Sequence, residues 1–175
     1  RTDDIVLMQC NTNYTASLEN FKYINLNVLK DYSRRYPNTI LGLSDHTPGH
    51  ATVLGAVTLG ARVIEKHFTN DITRCGPDHK FSMDFDAWQN MVDRTRELEN
   101  SLGLEIKKVE DNEKETVVLQ RRAIRVKKSL TVGDIICEDD LEFLRPCPKD
   151  ALPPYDLGKI INKEIVRSIE SGDYI

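Results

Sequence analysis

The sequence of 175 residues predicts an α/β domain followed by a small all-β module. In the first part of the chain, short apolar runs alternate with segments of helical apolar spacing, which is the order of a parallel sheet covered by helices. In the second part, short apolar runs are separated by Gly-Asp turns, and a charged stretch divides the two parts. We therefore expect a first domain over residues 1–103, a linker over 104–118 and a second domain over 119–175.

The first two strand–helix units follow one pattern. An apolar run at residues 5–8 predicts a strand, and the apolar spacing of residues 18–32 predicts one continuous helix after it. A second run at residues 39–43 predicts the next strand. Residues 47–60 open with Thr-Pro, which suits a helix N-cap and first helical position, and close with Gly, so they predict the second helix.

The third unit combines a strand at residues 61–64, a loop that contains Gly-Pro, and a helix that Gly103 closes. The apolar side chains of this helix are interpreted as core: Phe85, Trp88, Met91, Val92 and Leu98.

The second domain contains an internal repeat. Residues 129–136 and 168–175 share the pattern Ser-apolar-x-x-Gly-Asp-x-Ile. Gly-Asp between apolar positions suits a tight turn with positive φ, here at Gly133 and Gly172. We expect each copy to form its own hairpin.

Composition excludes several classes of protein. The longest apolar runs are far shorter than the ~20 residues that cross a bilayer, and the amino terminus lacks the features of a secretory signal, so a cytosolic protein without membrane contact is expected. The net charge of −4 implies no nucleic-acid partner. The four scattered cysteines predict reduced thiols, and no Walker loop, GxGxxG or GxSxG motif supports nucleotide binding or serine hydrolysis.

Two histidines stand at equivalent places, directly after the second and third predicted strands. Adjacent strands lie ~4.8 Å apart, so His46 and His67 could share one divalent ion such as manganese, cobalt or zinc. Asp45, Glu65 and Asp78 could add oxygen ligands or orient the rings. Glu65 and Asp78 could also serve as acid or base. The alternative is a solvated strand end without metal, at which Glu65 and Asp78 pair with nearby cations: Lys66, Arg74 or Lys80.

The motifs resemble a known family. LMQCNTNYTAS, LGLSDHT, VIEKHFT and GPDHKFSM stand in the order of the last three barrel strands of the N-acetylneuraminate (sialic acid) synthase family, over roughly residues 5–103. RRAIRVKKSLTVGDII, EDDLEFLRP and the closing GDYI resemble the SAF (antifreeze-like) domain that ends the same proteins. The resemblance implies the last three βα units of a TIM-type (β/α)8 barrel followed by a small all-β SAF domain of β-clip type.

Members of that family condense phosphoenolpyruvate with an N-acylated aldose such as N-acetylmannosamine, releasing phosphate and forming a nine-carbon 2-keto acid. The resemblance implies that His46 and His67 bind a divalent metal, with Mn²⁺ as the first choice and Mg²⁺ or Co²⁺ as alternatives. It also implies that Glu65 is the catalytic carboxylate and that Asp78 contacts the aldose.

Other family positions imply further substrate contacts. Ser44, Thr12 and Tyr14 match places that line the pocket near phosphoenolpyruvate. Arg145, in the Arg-Pro motif of the SAF domain, matches an arginine that reaches the acylamino group of the aldose in a neighbouring subunit. A homodimer that is domain-swapped through the SAF domain is the implied assembly.

The length raises a difficulty, since a closed eight-stranded barrel takes ~250 residues and only three of its units are recognised here. Either the chain is a carboxyl-terminal piece of a longer protein, or a partner chain supplies the other units. Because the chain starts at Arg1-Thr2, without Met and almost on a strand, we expect the piece, which should be inactive alone. The rival hypothesis is a noncatalytic module that binds carbohydrate or mediates association. Within the enzyme hypothesis, the product could be sialic, legionaminic or pseudaminic acid.

Overall fold

The computed structural model describes residues 5–175, so the start at Arg1-Thr2 lies outside the described residues. The chain divides into two compact units, Arg1–Glu105 and Ile106–Ile175. No helix within the described residues is long and apolar enough to cross a bilayer.

The first unit is a parallel sheet with helices between its strands, which confirms the predicted α/β class. Its strands pair in the order β1-β2-β3. The strands are β1 (Val6–Cys10), β2 (Ile40–Asp45) and β3 (Val63–Lys66), and the helices are α1 (Val28–Arg35), α2 (Ala51–Thr58) and α3 (Phe85–Leu102). Each strand is short, and its carboxyl end leads into a polar segment.

One face of β2 packs against the helices and forms the core of this unit. Leu41 and Leu43 alternate along the strand with Gly42 and Ser44, and the two leucines are buried. Their apolar neighbours come from all three helices: Leu29, Val53, Ala56, Val57 and Met91. The other face of β2 therefore carries small or polar side chains toward the carboxyl end of the sheet.

The predicted continuous helix over residues 18–32 is wrong. The structure contains a short 3₁₀ helix, Leu18–Tyr23, and then α1. Asn25 between them has a φ of 53°, in the left-handed region. A residue in that region cannot continue a right-handed helix, and Asn tolerates it better than most side chains.

The interpretation of the α3 stripe as core is correct for only part of the stripe. Met91 is buried and Trp88 packs partly against the core, but Phe85 is 69% exposed. Phe85, Trp88 and Val92 instead line an open cavity of about 390 Å³ together with Phe68. The apolar residues of α3 cover two adjacent stripes, and in this unit the core that includes α2 covers only one of them.

The second unit is built on one antiparallel pair, β4 (Ala123–Val126) with β5 (Leu141–Leu144). Its core is a separate apolar cluster: Ile124, Val126, Leu130, Ile136, Leu141, Ile160 and Ile165. A helix, α4 (Lys114–Gln120), begins within the stretch predicted to be a linker and ends two residues beyond it, and none of its residues is buried. A capping box between Glu110 and Glu113 begins the short 3₁₀ helix that precedes α4.

The internal repeat forms the expected turns but not the expected hairpins. Gly133 and Gly172 have φ values of 96° and 88°, as a tight turn requires. The strands on either side of each turn do not pair with one another, however. Instead the two copies pair across, with Leu130 and Ile169 exchanging both backbone hydrogen bonds at 2.9 Å. After the turns, Ile135 pairs with Glu164 and Tyr174 pairs with Arg125, so the repeat does not form two separate hairpins.

These turns give a stability prediction. We expect Gly133→Ala and Gly172→Ala each to lower the free energy of unfolding by ~1–2 kcal/mol, because an L side chain is disfavoured at positive φ. Gly158→Ala is the matched control, since its added methyl group also meets no atom within 4 Å and its φ is not in the left-handed region. Urea unfolding of the three variants would measure the difference, and equal stability of all three would contradict the prediction.

Candidate functional site

The candidate site lies at the carboxyl ends of β2 and β3. Asp45 and Lys66 are the last residues of these strands and stand opposite each other in the register. His46 and His67 follow them directly, and the centroids of the two imidazole rings are 5.1 Å apart. The parallel pairing of the two strands therefore brings these two predicted residues together.

The ring nitrogens of the two histidines suit a shared ligand. His46 Nδ1 lies 2.9 Å from the carbonyl oxygen of Asn11, which can only accept, so in the neutral ring Nδ1 carries the proton. The lone pair of His46 Nε2 is then left for a metal or another donor. His67 Nδ1 lies 3.6 Å from Asp78 Oδ2, a distance that is a contact but too long for a hydrogen bond.

Two imidazoles alone make an incomplete coordination sphere. Among the described residues, no cluster of three or more His, Cys, Asp or Glu side chains is placed to hold a metal ion. Such a pair fits a divalent ion whose other positions are taken by water or substrate, as in a catalytic site, and does not fit a closed structural site.

Two aromatic side chains lie beside the two imidazoles. The Tyr14 ring lies 4.2 Å from the His46 ring and 5.7 Å from the His67 ring. Phe81, which is buried, lies 5.9 Å and 5.0 Å from the same two rings. Phe81 thus gives both rings a buried apolar neighbour, whereas Tyr14 is 54% exposed and leaves its side of the rings open to water. Phe81 was not predicted, although it stands within the GPDHKFSM motif.

Glu65 and Ser44 form a second pair in the same register. Ser44 Oγ donates to Glu65 Oε1 at 2.8 Å, and both side chains occur two residues before a histidine of the site. The alternative ion pair between Glu65 and Lys66 is not formed. The Lys66 ammonium instead contacts Asp45 Oδ2 at 2.6 Å.

Asp45 does not orient either imidazole, and that expectation is wrong. Its side chain has no exposed surface and accepts hydrogen bonds from Lys66, Thr47 and Thr52. The cause is strand alternation: Asp45 points to the face of β2 that carries Leu43, away from Ser44.

Asp78 stands in the loop between β3 and α3, with half of its side chain exposed. It pairs with neither Arg74 nor Lys80 among the described residues. Ser82 fixes the loop locally, because its backbone N–H and its hydroxyl both donate to the Asp78 carbonyl, at 3.1 Å and 2.7 Å. These bonds fix the backbone at Asp78, and its carboxylate Oδ2 lies 3.6 Å from His67 Nδ1.

The two remaining predicted residues are exposed and have different surroundings. Thr12 lies in the polar loop after β1, and its side chain forms no hydrogen bond with the described residues. Arg145 belongs to the second unit, where it follows β5 and precedes Pro146. Within the described residues it forms no ion pair, and the nearby Asp140 binds Lys128.

Comparison with known proteins identifies a matching family or domain model for each of the two units. A model of the NeuB family matches residues 1–107, and a model of the SAF domain matches residues 121–175. The chain is 36% identical over 171 residues to the N,N'-diacetyllegionaminic acid synthase of Legionella pneumophila, covering 98% of this chain and 46% of that protein. It is 30% identical over 168 residues to human N-acetylneuraminate-9-phosphate synthase, covering 96% of this chain and 46% of that protein.

The fold is also found among solved structures. The N-acetylneuraminic acid synthetase of Leptospira borgpetersenii, in complex with citrate, aligns with a TM-score of 0.54 at 28% identity, over 64% of this chain and 38% of that chain. The chain thus spans about half the length, or less, of the relatives it matches. Its NeuB match covers the unit that carries both histidines. The resemblance predicted from the sequence motifs is therefore confirmed, and the chain belongs to the NeuB family, with a SAF domain as its second part.

Proposed function

We propose that the complete protein condenses phosphoenolpyruvate with an N-acylated aldose to give a nine-carbon 2-keto acid and phosphate. The observation that carries this proposal is the pair of imidazoles, 5.1 Å apart at the ends of adjacent parallel strands in a NeuB-family unit. In α/β barrels, catalytic groups gather at this end of the strands. We further propose that the three strand–helix units of this chain are the last three of an eight-stranded barrel.

His46 and His67 would hold a divalent ion, with Mn²⁺ preferred and Mg²⁺ or Co²⁺ as alternatives. When bound, such an ion supplies Lewis-acid polarisation of the aldehyde oxygen, a contribution of several kcal/mol. The hydrogen bond from His46 to the Asn11 carbonyl supports this role, because it fixes the tautomer in which Nε2 is the ligand.

Glu65 would act on the proton of the attacking water. In the condensation, C3 of phosphoenolpyruvate forms a bond to the aldehyde carbon, which leaves a cationic C2. The aldehyde C=O π bond breaks, and its oxygen takes up a proton to become a hydroxyl. Water adds to C2, the carboxylate accepts one water proton, and phosphate then leaves as the remaining hydroxyl loses its proton, which gives the keto group. Ser44 donates to Glu65 Oε1 and so leaves Oε2 as the acceptor toward substrate.

The remaining predicted residues would bind and orient the substrates. Tyr14 packs over both imidazoles, so with Thr12 and Ser44 it would line the pocket near phosphoenolpyruvate. Arg145 would contact the acylamino group of the aldose from the neighbouring subunit of a homodimer that is domain-swapped through the SAF domain.

Assay of the complete protein with both substrates tests the proposed function directly. Phosphate release that requires phosphoenolpyruvate, an N-acylated aldose and a divalent ion is expected. Parallel assays with N-acetylmannosamine, its 6-phosphate and diacetamido sugars would identify the aldose, since the names of the two relatives point to different sugars. A protein that binds carbohydrate but forms no keto acid with any of them would support the noncatalytic alternative.

Asp78 gives a prediction that separates the two substrates. Asp78→Asn should weaken binding of the aldose transition state by ~1.5–3 kcal/mol, because a charge-assisted hydrogen bond to a sugar hydroxyl is lost. Phosphoenolpyruvate binding should change little. Steady-state kinetics with each substrate varied would measure both effects. Asp71→Asn is the control in the same loop, since the Asp71 carboxylate is occupied by Thr73, and equal damage to both substrates by Asp78→Asn would count against the assignment.

A further inference from the structure

We propose that the buried Lys66–Asp45 ion pair is a positioning device: it clamps the ends of β3 and β2 together and thereby fixes the distance between the imidazoles of His67 and His46. This inference rests on the function proposed above, because it concerns the geometry of the same site. Both side chains are buried away from the surface that a substrate could reach, so both are positioning residues rather than catalytic ones.

The clamp lies directly behind the site. Asp45 and Lys66 are paired in the register, and each is followed immediately by a histidine of the site. Side chains alternate between the two faces of a strand, so the ion pair occupies the helix-facing side of the sheet while the imidazoles follow on the other side. Any shift of one strand end against the other would move both the pair and the rings.

Lys66 binds the carboxyl end of β2 through two residues that flank His46. Its ammonium contacts Asp45 Oδ2 at 2.6 Å and donates to the Thr47 carbonyl oxygen at 2.7 Å. The Lys66 and Asp45 side chains are 1% and 0% exposed, so water competes with neither contact. One lysine on β3 thus holds the residues before and after His46.

Asp45 extends the clamp from the strands to α2. Its Oδ1 accepts from the Thr47 backbone N–H at 3.0 Å and from the Thr47 hydroxyl at 2.8 Å. Its Oδ2 accepts from the hydroxyl of Thr52, in the first turn of α2. Every oxygen of the carboxylate is therefore occupied, and a fully satisfied buried network of this kind rigidifies the segment it holds.

Stability alone does not account for a charged pair in this position. The same face of β2 carries Leu41 and Leu43, which are buried against the helices. Apolar side chains therefore suit this layer, and replacing a buried ion pair by apolar residues is often neutral or stabilising. The ion pair provides a directional contact between a defined group on each of two adjacent strand ends. Apolar packing does not provide such a contact.

The test uses three variants of the complete protein: Asp45→Asn, Lys66→Met and the double variant. Mn²⁺ affinity is measured by titration calorimetry, and the absorption spectrum of bound Co²⁺ reports the coordination geometry. We expect Mn²⁺ binding to weaken roughly 10- to 100-fold in all three, the range seen when groups that orient metal-binding histidines are removed. The Co²⁺ spectrum should also change. Leu29→Ala, a fully buried core change, is the control for lost stability and should alter neither.

If a single variant does not fold, the double variant still tests the positioning role, because the double variant leaves no unpaired buried charge. A folded double variant with the Mn²⁺ affinity and Co²⁺ spectrum of the unchanged protein would overturn the inference. So would a double variant that fails to fold, because the pair would then be needed for the fold itself. If His46→Ala and His67→Ala lose Mn²⁺ while these variants bind it normally, the proposed function stands and only the positioning role fails.

Discussion

His46→Ala and His67→Ala should each abolish binding of one divalent ion by the complete protein. The two rings lie 5.1 Å apart, and the described residues offer no third metal-binding group to compensate for a lost imidazole. Losing a Lewis-acid contribution of several kcal/mol corresponds to a fall in kcat of roughly two to four powers of ten. Metal content is measured by elemental analysis after dialysis, and turnover by phosphate release.

A matched control separates this effect from the general loss of a histidine. His50 precedes α2 and forms no capping hydrogen bond through its side chain, so His50→Ala should retain metal and turnover. If both site variants keep a full equivalent of metal and normal turnover, the assignment of His46 and His67 is wrong. Retention of metal with lost turnover would instead place the two imidazoles in substrate binding.

The short-range patterns of the sequence predict the sheet and the meeting of the two histidines. Parallel strands end at the same edge of a sheet, so polar residues placed directly after two consecutive strands must be neighbours. His46 and His67 satisfy this condition, and the structure brings them together. The pairing of Ser44 with Glu65 follows from the same register.

The sequence patterns do not predict features that depend on tertiary contacts. The periodicity of residues 18–32 does not show that Asn25 adopts positive φ and divides the helix. Strand alternation could have placed Asp45 on the opposite face from His46, but the partner of Asp45 lies 21 residues away on β3. The repeat in the second unit likewise predicted its two turns correctly. It did not predict that the two copies pair with each other, because that pairing joins residues far apart in the sequence.

Arg145→Ala should remove nearly all turnover in the complete protein, and the loss should be recoverable by subunit mixing. Arg145 is exposed, and its peptide neighbour Pro146 is anchored, because the Pro146 carbonyl accepts from Arg125 Nη2 at 3.4 Å and Cys147 N–H donates to the Val118 carbonyl at 2.9 Å. A guanidinium presented on a held loop is preorganised to donate to a carbonyl of the substrate. This supports a role in recognition of the acylamino group.

Mixing Arg145→Ala subunits with His67→Ala subunits tests whether Arg145 acts on the neighbouring subunit. A mixed dimer then contains one site with both defects and one site with neither. Random exchange of equal amounts makes half of the dimers mixed, so about a quarter of the activity of the unchanged protein should return. Arg167→Ala, at another exposed arginine of the same unit, is the control and should be active without mixing. If native mass spectrometry shows subunit exchange and no activity returns, the shared site is rejected and Arg145 acts within its own subunit or is purely structural, because only an arginine that crosses between subunits can restore a site in this mixture.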